Sequence, residues 1–249
     1  MEKKHIETFI KKYNLNGAIE GVLWSNDSGN LAVTAMTSDR KLFTSVTYDK
    51  GAGWFSGVEV GVQDTNKLKK MLAPLGDNVS LTLDIDSNDK TRARQLFIDD
   101  GKNQSTYVLA GVDVIDGTPK MKNIPPFGVE ITLPPEFIEA FSKSFSALGD
   151  DATLFTLLMS KRKQKMDMVL GYKQNLSDQI ALEVTTTAGK DTVKNPISFN
   201  AKHLKEILLA NNEVTNPVLQ VSEAGLSSIS FDDNGFKSQY YLVQIDVED

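Results

Sequence analysis

The sequence contains no cysteine, which excludes disulfides and thiol chemistry and fits a reducing cytoplasm. Histidine is almost as scarce. His5 and His203 fall in separate predicted helices, and without cysteine beside them they form no recognisable metal ligand set. No run approaches the roughly 20 apolar residues of a membrane span. Residues 1–12 carry Lys3, Lys4, Lys11 and Lys12 without an apolar signal region. The expectation is a soluble cytoplasmic protein with no membrane partner. Positive charge is also in short supply, with 27 Lys and Arg against 33 Asp and Glu for a net charge of −6. Phosphate affinity normally comes from a basic excess, so the total alone argues against nucleic acid, and placement has to decide. Low-complexity tracts are absent.

What is present is a repeat. The 249 residues are 40% hydrophobic, enough for one large domain or two ordinary ones with real cores. Three segments, "GVEVGVQDTNKLKKML", "GVEITLPPEFIEAFSKSF" and "NPISFNAKHLKEILLA", each read as a short strand, a cap and a short helix. The opening "EKKHIETFIKKY" adds a helix with little or no strand before it. The first apolar helix residues are Ile6, Leu68, Phe137 and Leu204, at intervals of 62, 69 and 67 residues.

Each helix has a local cause. Ile6, Phe9, Ile10 and Tyr13 make an apolar stripe at i, i+3, i+4 and i+7, and Leu68, Met71, Leu72 and Leu75 repeat it. Phe137, Ile138, Phe141 and Phe145 follow it approximately. Asp64 or Thr65 caps the second helix and Asn200 the fourth. Pro135 suits a first turn, and Gly76 and Gly149 read as stop signals.

Three alternating strands follow every helix. The first set is "AIEGVLWS", "NLAVTAMTS" and "KLFTSVTY", and the last hairpin turns on Asn234-Gly235, a type I′ signal. Neither a single sandwich nor a parallel α/β fold gives such regularity. The fold class is α+β, with two similar domains at 1–111 and 129–249. Residues 112–128, "VDVIDGTPKMKNIPPFG", hold three prolines and two glycines and read as the connector.

The closing "LQVSEAGLSSISFDDNGFKSQYYLVQI", with its Tyr240-Tyr241-Leu242 run, resembles the last quarter of proliferating-cell-nuclear-antigen-type clamps. The stretch "NIPPFGVEITLPPEFIEAF" is similar to the sliding clamps of T-even-like tailed phages. The resemblance implies two domains per chain, each a duplicated strand–helix–three-strand unit, and three subunits closing into a ring. Sheets would form the outer wall and helices would line a hole for duplex DNA. It further implies a processivity factor with no active site and no cofactor, which encircles DNA without sequence preference. Its partners would be a DNA polymerase and a clamp loader, in the host cytoplasm if the source is viral.

A DNA hole requires basic residues opposite the apolar stripes. Lys4, Thr8 and Lys11 lie opposite the first stripe, with Lys12 grouped beside them. Asn66 and Lys70 lie opposite the second, flanked by Lys67 and Lys69. Lys202 and Lys205 sit on the polar side of the fourth helix beside Glu206. The third helix departs, with Glu136 and Glu139 beside Lys143. Any one of these faces is also what an ordinary solvated helix looks like. The resemblance places a partner-peptide pocket at Val114 and Ile115 in the connector and at Tyr241 and Val243 near the C terminus. Met36 and Leu42 would form another wall, for which ordinary core packing is the competing reading.

Other signals carry less. "DIDSND" at 84–89 lacks the glycine and the closing acid of a calcium loop and reads as a hairpin turn. "GAGWFSG" at 51–57 lacks the strand-to-helix setting of a phosphate cradle. The run Lys161-Arg162-Lys163-Gln164-Lys165 is either a solvated hairpin tip or a DNA contact at a ring face. No metal site or catalytic constellation is apparent. Two other classes stay open: a structural or assembly protein of duplicated α+β domains, such as a virion component, and an enzyme using carboxylates that sequence cannot pair.

Overall fold

The computed structural model describes residues 1–51, 53–55, 57–115, 119–159, 165–173, 177–186 and 193–246. It divides into two compact units. The first comprises Met1–Thr37, Thr44–Lys120 and Asp232–Ser238, and the second Ser38–Phe43, Met121–Phe231 and Gln239–Asp249.

In chain order the first stretch runs α1 (Lys3–Asn14), β1 (Val22–Asp27), β2 (Asn30–Met36), β3 (Leu42–Tyr48), β4 (Val60–Val62), α2 (Thr65–Leu72), β5 (Ser80–Ile85), β6 (Ala93–Asp99) and β7 (Gln104–Val108). In the first unit β1 pairs antiparallel with β2 and β4, through Ser25 opposite Ala32 and Val22 opposite Val62. A second sheet has the order β5-β6-β7, with Leu96 opposite both Leu83 and Tyr107. Instead of a strand before α1, Glu2 makes an isolated bridge to Asn78.

The apolar stripes decide what these helices cover. Ile6, Phe9, Ile10 and Tyr13 of α1 and Leu68 and Leu72 of α2 enter one core with Trp24, Val33, Val46, Leu96 and Tyr107. Each fully buried large side chain contributes about 1.5–3 kcal/mol of hydrophobic stabilisation. At the helix interface the Tyr13 hydroxyl accepts from Trp24 Nε1 at 3.3 Å and lies 3.3 Å from Thr65 Oγ1. Thr65 Oγ1 also donates to the Glu20 carbonyl at 2.6 Å. α2 ends at Leu72, before the expected Gly76, because Pro74 has no N–H to continue the ladder. Leu75 stays buried in the turn that follows.

The second stretch runs β8 (Val129–Thr132), α3 (Pro135–Leu148), β9 (Leu154–Met159), β10 (Met166–Leu170), β11 (Ile180–Glu183), β12 (Thr185–Thr186), β13 (Ile197–Asn200), α4 (Ala201–Ala210), β14 (Val218–Ser222), β15 (Leu226–Asp233) and β16 (Phe236–Val243). One sheet of the second unit has the order β11-β10-β9-β13. In the other, β8 lies between β12 and β14, and β14 continues to β15. Phe137 and Phe141 of α3 and Leu204, Ile207 and Leu208 of α4 are buried. Phe141 meets Phe155 edge-on with centroids 6.3 Å apart, and Phe155 lies 5.4 Å from Phe199.

Caps form where the residue types lead one to expect them. Asp64 accepts from the Lys67 N–H at 2.7 Å, and Asn200 from the His203 N–H at 2.9 Å. Pro135 occupies the first turn of α3, and Gly149 follows that helix at φ +56°. The Asn234-Gly235 turn has φ values of 51° and 84°, both left-handed as a type I′ hairpin needs. No helix among the described residues is long and apolar enough to cross a membrane.

Candidate functional site

All of the predicted DNA-facing lysines except Lys12 are exposed or half-buried on the four helices. α1 and α2 pack together in the first unit, and α3 and α4 in the second. Lys4, Lys11, Lys67, Lys69 and Lys70 are exposed on the first pair, and Lys143 and Lys202 on the second. Lys205 is half-buried, its ammonium 4.6 Å from the centre of the Phe145 ring.

Charge is distributed unequally between the pairs. The sequences of α1 and α2 contain seven lysines and one acid, Glu7. Those of α3 and α4 contain three lysines and three glutamates. Potential follows local density rather than the chain total, so the first pair is basic despite the net charge of −6. Two lysines are already engaged with carboxylates. Lys4 pairs with Glu2 at 2.7 Å and Lys143 with Glu139 at 2.6 Å. The hydrogen bond from Lys143, and then its charge, hold the Glu139 carboxyl below its usual range. Both pairs are exposed and contribute little to stability.

Lys12 requires a correction. It is only 1% exposed, with its ammonium 5.8 Å from the centre of the Phe236 ring, so it does not face solvent on the helix crest. The cause is phase: Lys12 lies near the edge of the α1 stripe, where a long aliphatic stem packs along apolar surface. Lys3, absent from the predicted set, is tied down through its Nζ donating to the Leu75 carbonyl.

The predicted pocket residues divide between the units. Met36, Val114 and Ile115 belong to the first, and Leu42, Tyr241 and Val243 to the second. Val114 is 63% exposed, whereas Ile115 is 8% exposed and lies over Gly61. Gly61 is required there, since a Cβ would sit 2.3 Å from the Ala110 carbonyl oxygen. In the second unit Tyr241 meets Phe43 edge-on at 5.8 Å, and the Val243 N–H donates to the Lys41 carbonyl at 2.9 Å. Leu42 is 0% exposed and is core, so it cannot wall a pocket in this state; Ile115 is likewise held inward. Met36 is exposed. Val112 and Ile124, outside the predicted pocket set, are also exposed apolar residues of the same proline-rich stretch.

Among the described residues no group of three or more His, Asp or Glu side chains is placed to hold a metal ion. Residues 86–92 form the turn between β5 and β6, closed by the Asp86 N–H donating to the Arg92 carbonyl. Residues 161–164 of the basic run lie outside the described residues.

The fold is that of sliding clamps. The proliferating cellular nuclear antigen of Entamoeba histolytica superposes with a TM-score of 0.71 at 18% identity, covering 98% of this chain and 96% of that one. A chain of the PCNA2–PCNA3 complex from Sulfolobus tokodaii superposes at 0.67 and 14% identity, covering 98% and 97%. No family model and no curated protein matches the sequence.

Proposed function

We propose that this chain is one subunit of a closed ring, a homotrimer of clamp subunits, that encircles duplex DNA and tethers a replicative polymerase. The observation that carries the reading is a basic helix pair on a clamp fold: Lys4, Lys11, Lys69 and Lys70 project from helices whose other faces are core. Such contacts give sequence-independent phosphate attraction, which suits a slider because base-specific readout would hold it in place. The acid surplus elsewhere on the chain opposes DNA binding to outer surfaces. Enclosure supplies the residence time, and tethering raises the polymerase's effective concentration at the primer end without new chemistry.

Ring closure needs two open surfaces on each subunit. Among the described residues, β7 ends one sheet and β11 ends another. β7, "QSTYV", has neither charge nor proline to discourage pairing with another chain. The exposed Val112 and Val114 of the first unit supply apolar anchorage for a linear peptide from a polymerase or clamp loader. The likeness of "NIPPFGVEITLPPEFIEAF" to phage clamps supports a tailed-phage source, working in the host cytoplasm.

The test is retention after loading. Clamp loaded onto nicked circular DNA should remain bound through gel filtration and be lost once the circle is linearised. Equal loss from both substrates would remove the topological mechanism. A structural or assembly protein would show no such difference.

A further inference from the structure

We propose that Gly61 is a positioning residue for partner docking, which receives the main chain of Ala110 and so fixes the exposed turn that carries Val112 and Val114. This role rests on the reading of those valines as peptide anchors and concerns what holds them in place.

The turn is built onto β4. Along one side β4 pairs with β1, and Gly61 stands opposite Leu23. Along the other it meets the chain leaving β7. The Leu109 N–H donates to the Arg94 carbonyl at 2.9 Å, and the next N–H, that of Ala110, donates to the Gly61 carbonyl at 2.9 Å. Gly61 and Ala110 thereby form an isolated antiparallel bridge. The chain then turns, closed by the Val114 N–H donating to the Gly111 carbonyl at 3.0 Å, and Ile115 returns over the same glycine. Both ends of the turn therefore close on one residue. Between them Val112 is 43% exposed and Val114 63%.

Only glycine allows this closure. Val60 and Val62 are fully buried in the core of the first unit, so strand alternation sends position 61 to the opposite side, toward the turn. A side chain at 61 would take the space of the Ala110 carbonyl and press on Ile115. Glycine weakens a strand interior, and a common reason for keeping it there is the close approach of a second backbone. Here that backbone is the base of the docking turn. A turn held at its base presents its valines without the ordering cost that a free loop meets on binding. Gly61 itself touches no peptide and acts through Ala110. The anchors are thus placed by a core strand rather than by the proline-rich stretch that follows them.

The test compares the full chain with its Gly61→Ala variant by thermal melting, by hydrogen exchange read in a mass spectrometer, and by anisotropy of a fluorescein-labelled synthetic peptide carrying paired Phe anchors. In Gly61→Ala, exchange across residues 110–115 should rise by about tenfold while β5 and β6 keep their protection. Peptide affinity should fall by about tenfold. Ile115→Ala is the control for stability alone. It keeps both hydrogen bonds of the turn, so its affinity should stay within about threefold of wild type although it melts lower. If Gly61→Ala melts abnormally, Ala110→Pro replaces it, because it deletes the donated N–H and adds no atom to β4. Wild-type exchange or wild-type affinity in the positioning variant overturns the assignment and leaves the docking reading standing. An equal loss of affinity in Ile115→Ala also overturns it, since general destabilisation would then be the cause. A wild type that binds no peptide overturns the docking reading and the assignment together.

Discussion

The ammonium of Lys12 sits 5.8 Å from the centre of the Phe236 ring, and the lysine is 1% exposed although it belongs to a helix with a basic outer face. A cation over an aromatic face, with its stem packed on apolar neighbours, is a structural contact. Lys12→Glu should therefore destabilise the first unit by about 3 kcal/mol or more, since it buries a carboxylate against the negative ring face. Lys12→Met, which preserves the stem and buries no carboxylate, should cost less than Lys12→Glu. Urea unfolding of the two variants checks the order.

Charge reversal at Lys4, Lys11 and Lys70 should weaken DNA-dependent stimulation of the polymerase while leaving assembly intact. All three are exposed on the basic helix pair. Each phosphate contact removed should lower the slope of log affinity against log salt by about 1. Reversal of Lys143 alone should have a smaller effect, because α3 carries Glu136 and Glu139 and no other lysine. Stimulation measured over a salt series separates the two sets, and unchanged stimulation in the triple variant would defeat the lining assignment.

Partner docking should depend on the exposed connector residues rather than the buried ones. Val114→Glu should abolish polymerase tethering at unchanged melting temperature, because Val114 is 63% exposed. Ile115→Ala should instead cost about 2–5 kcal/mol of stability, as a truncation of a buried aliphatic side chain. Peptide binding by fluorescence anisotropy, read beside thermal melts, distinguishes these outcomes.

His203 predicts a pH dependence in the second unit. It is 9% exposed, and among the described residues Nδ1 has no hydrogen-bond partner. Burial lowers its pKa from 6.5, aided by Lys202 and opposed by Asp39. A depressed folded value means that the unfolded chain takes up the proton first. Stability is fully present above about pH 6.5, and it is lost as pH falls from there toward the lower folded value. His203→Gln should flatten this dependence; equal slopes for variant and wild type between pH 7 and 5 would refute it.

Much of the architecture was legible because its causes are local. The i, i+3, i+4 stripes that begin at Ile6, Leu68, Phe137 and Leu204 place all four residues in cores. Asn200 capped its helix, and Asn234-Gly235 turned its hairpin, because side-chain reach and left-handed φ are properties of a few adjacent residues. The alternation after each helix likewise predicted three strands without any long-range knowledge.

The site depended on contacts that no local pattern encodes. Lys12 and Lys11 are neighbours in sequence, yet one is buried against Phe236 and the other exposed, since the width of the covered face depends on what packs there. Leu42 and Met36 each read as either a pocket wall or core; Leu42 is core, and Met36 reaches solvent. Sequence alone determined the fourfold unit and the basic character of its first two helices. The tertiary structure decided which lysines face outward, which connector residues are free to bind, and which edges stay open. Hydrophobic periodicity acts over one helical turn, whereas burial is set by segments that meet only once the chain has folded.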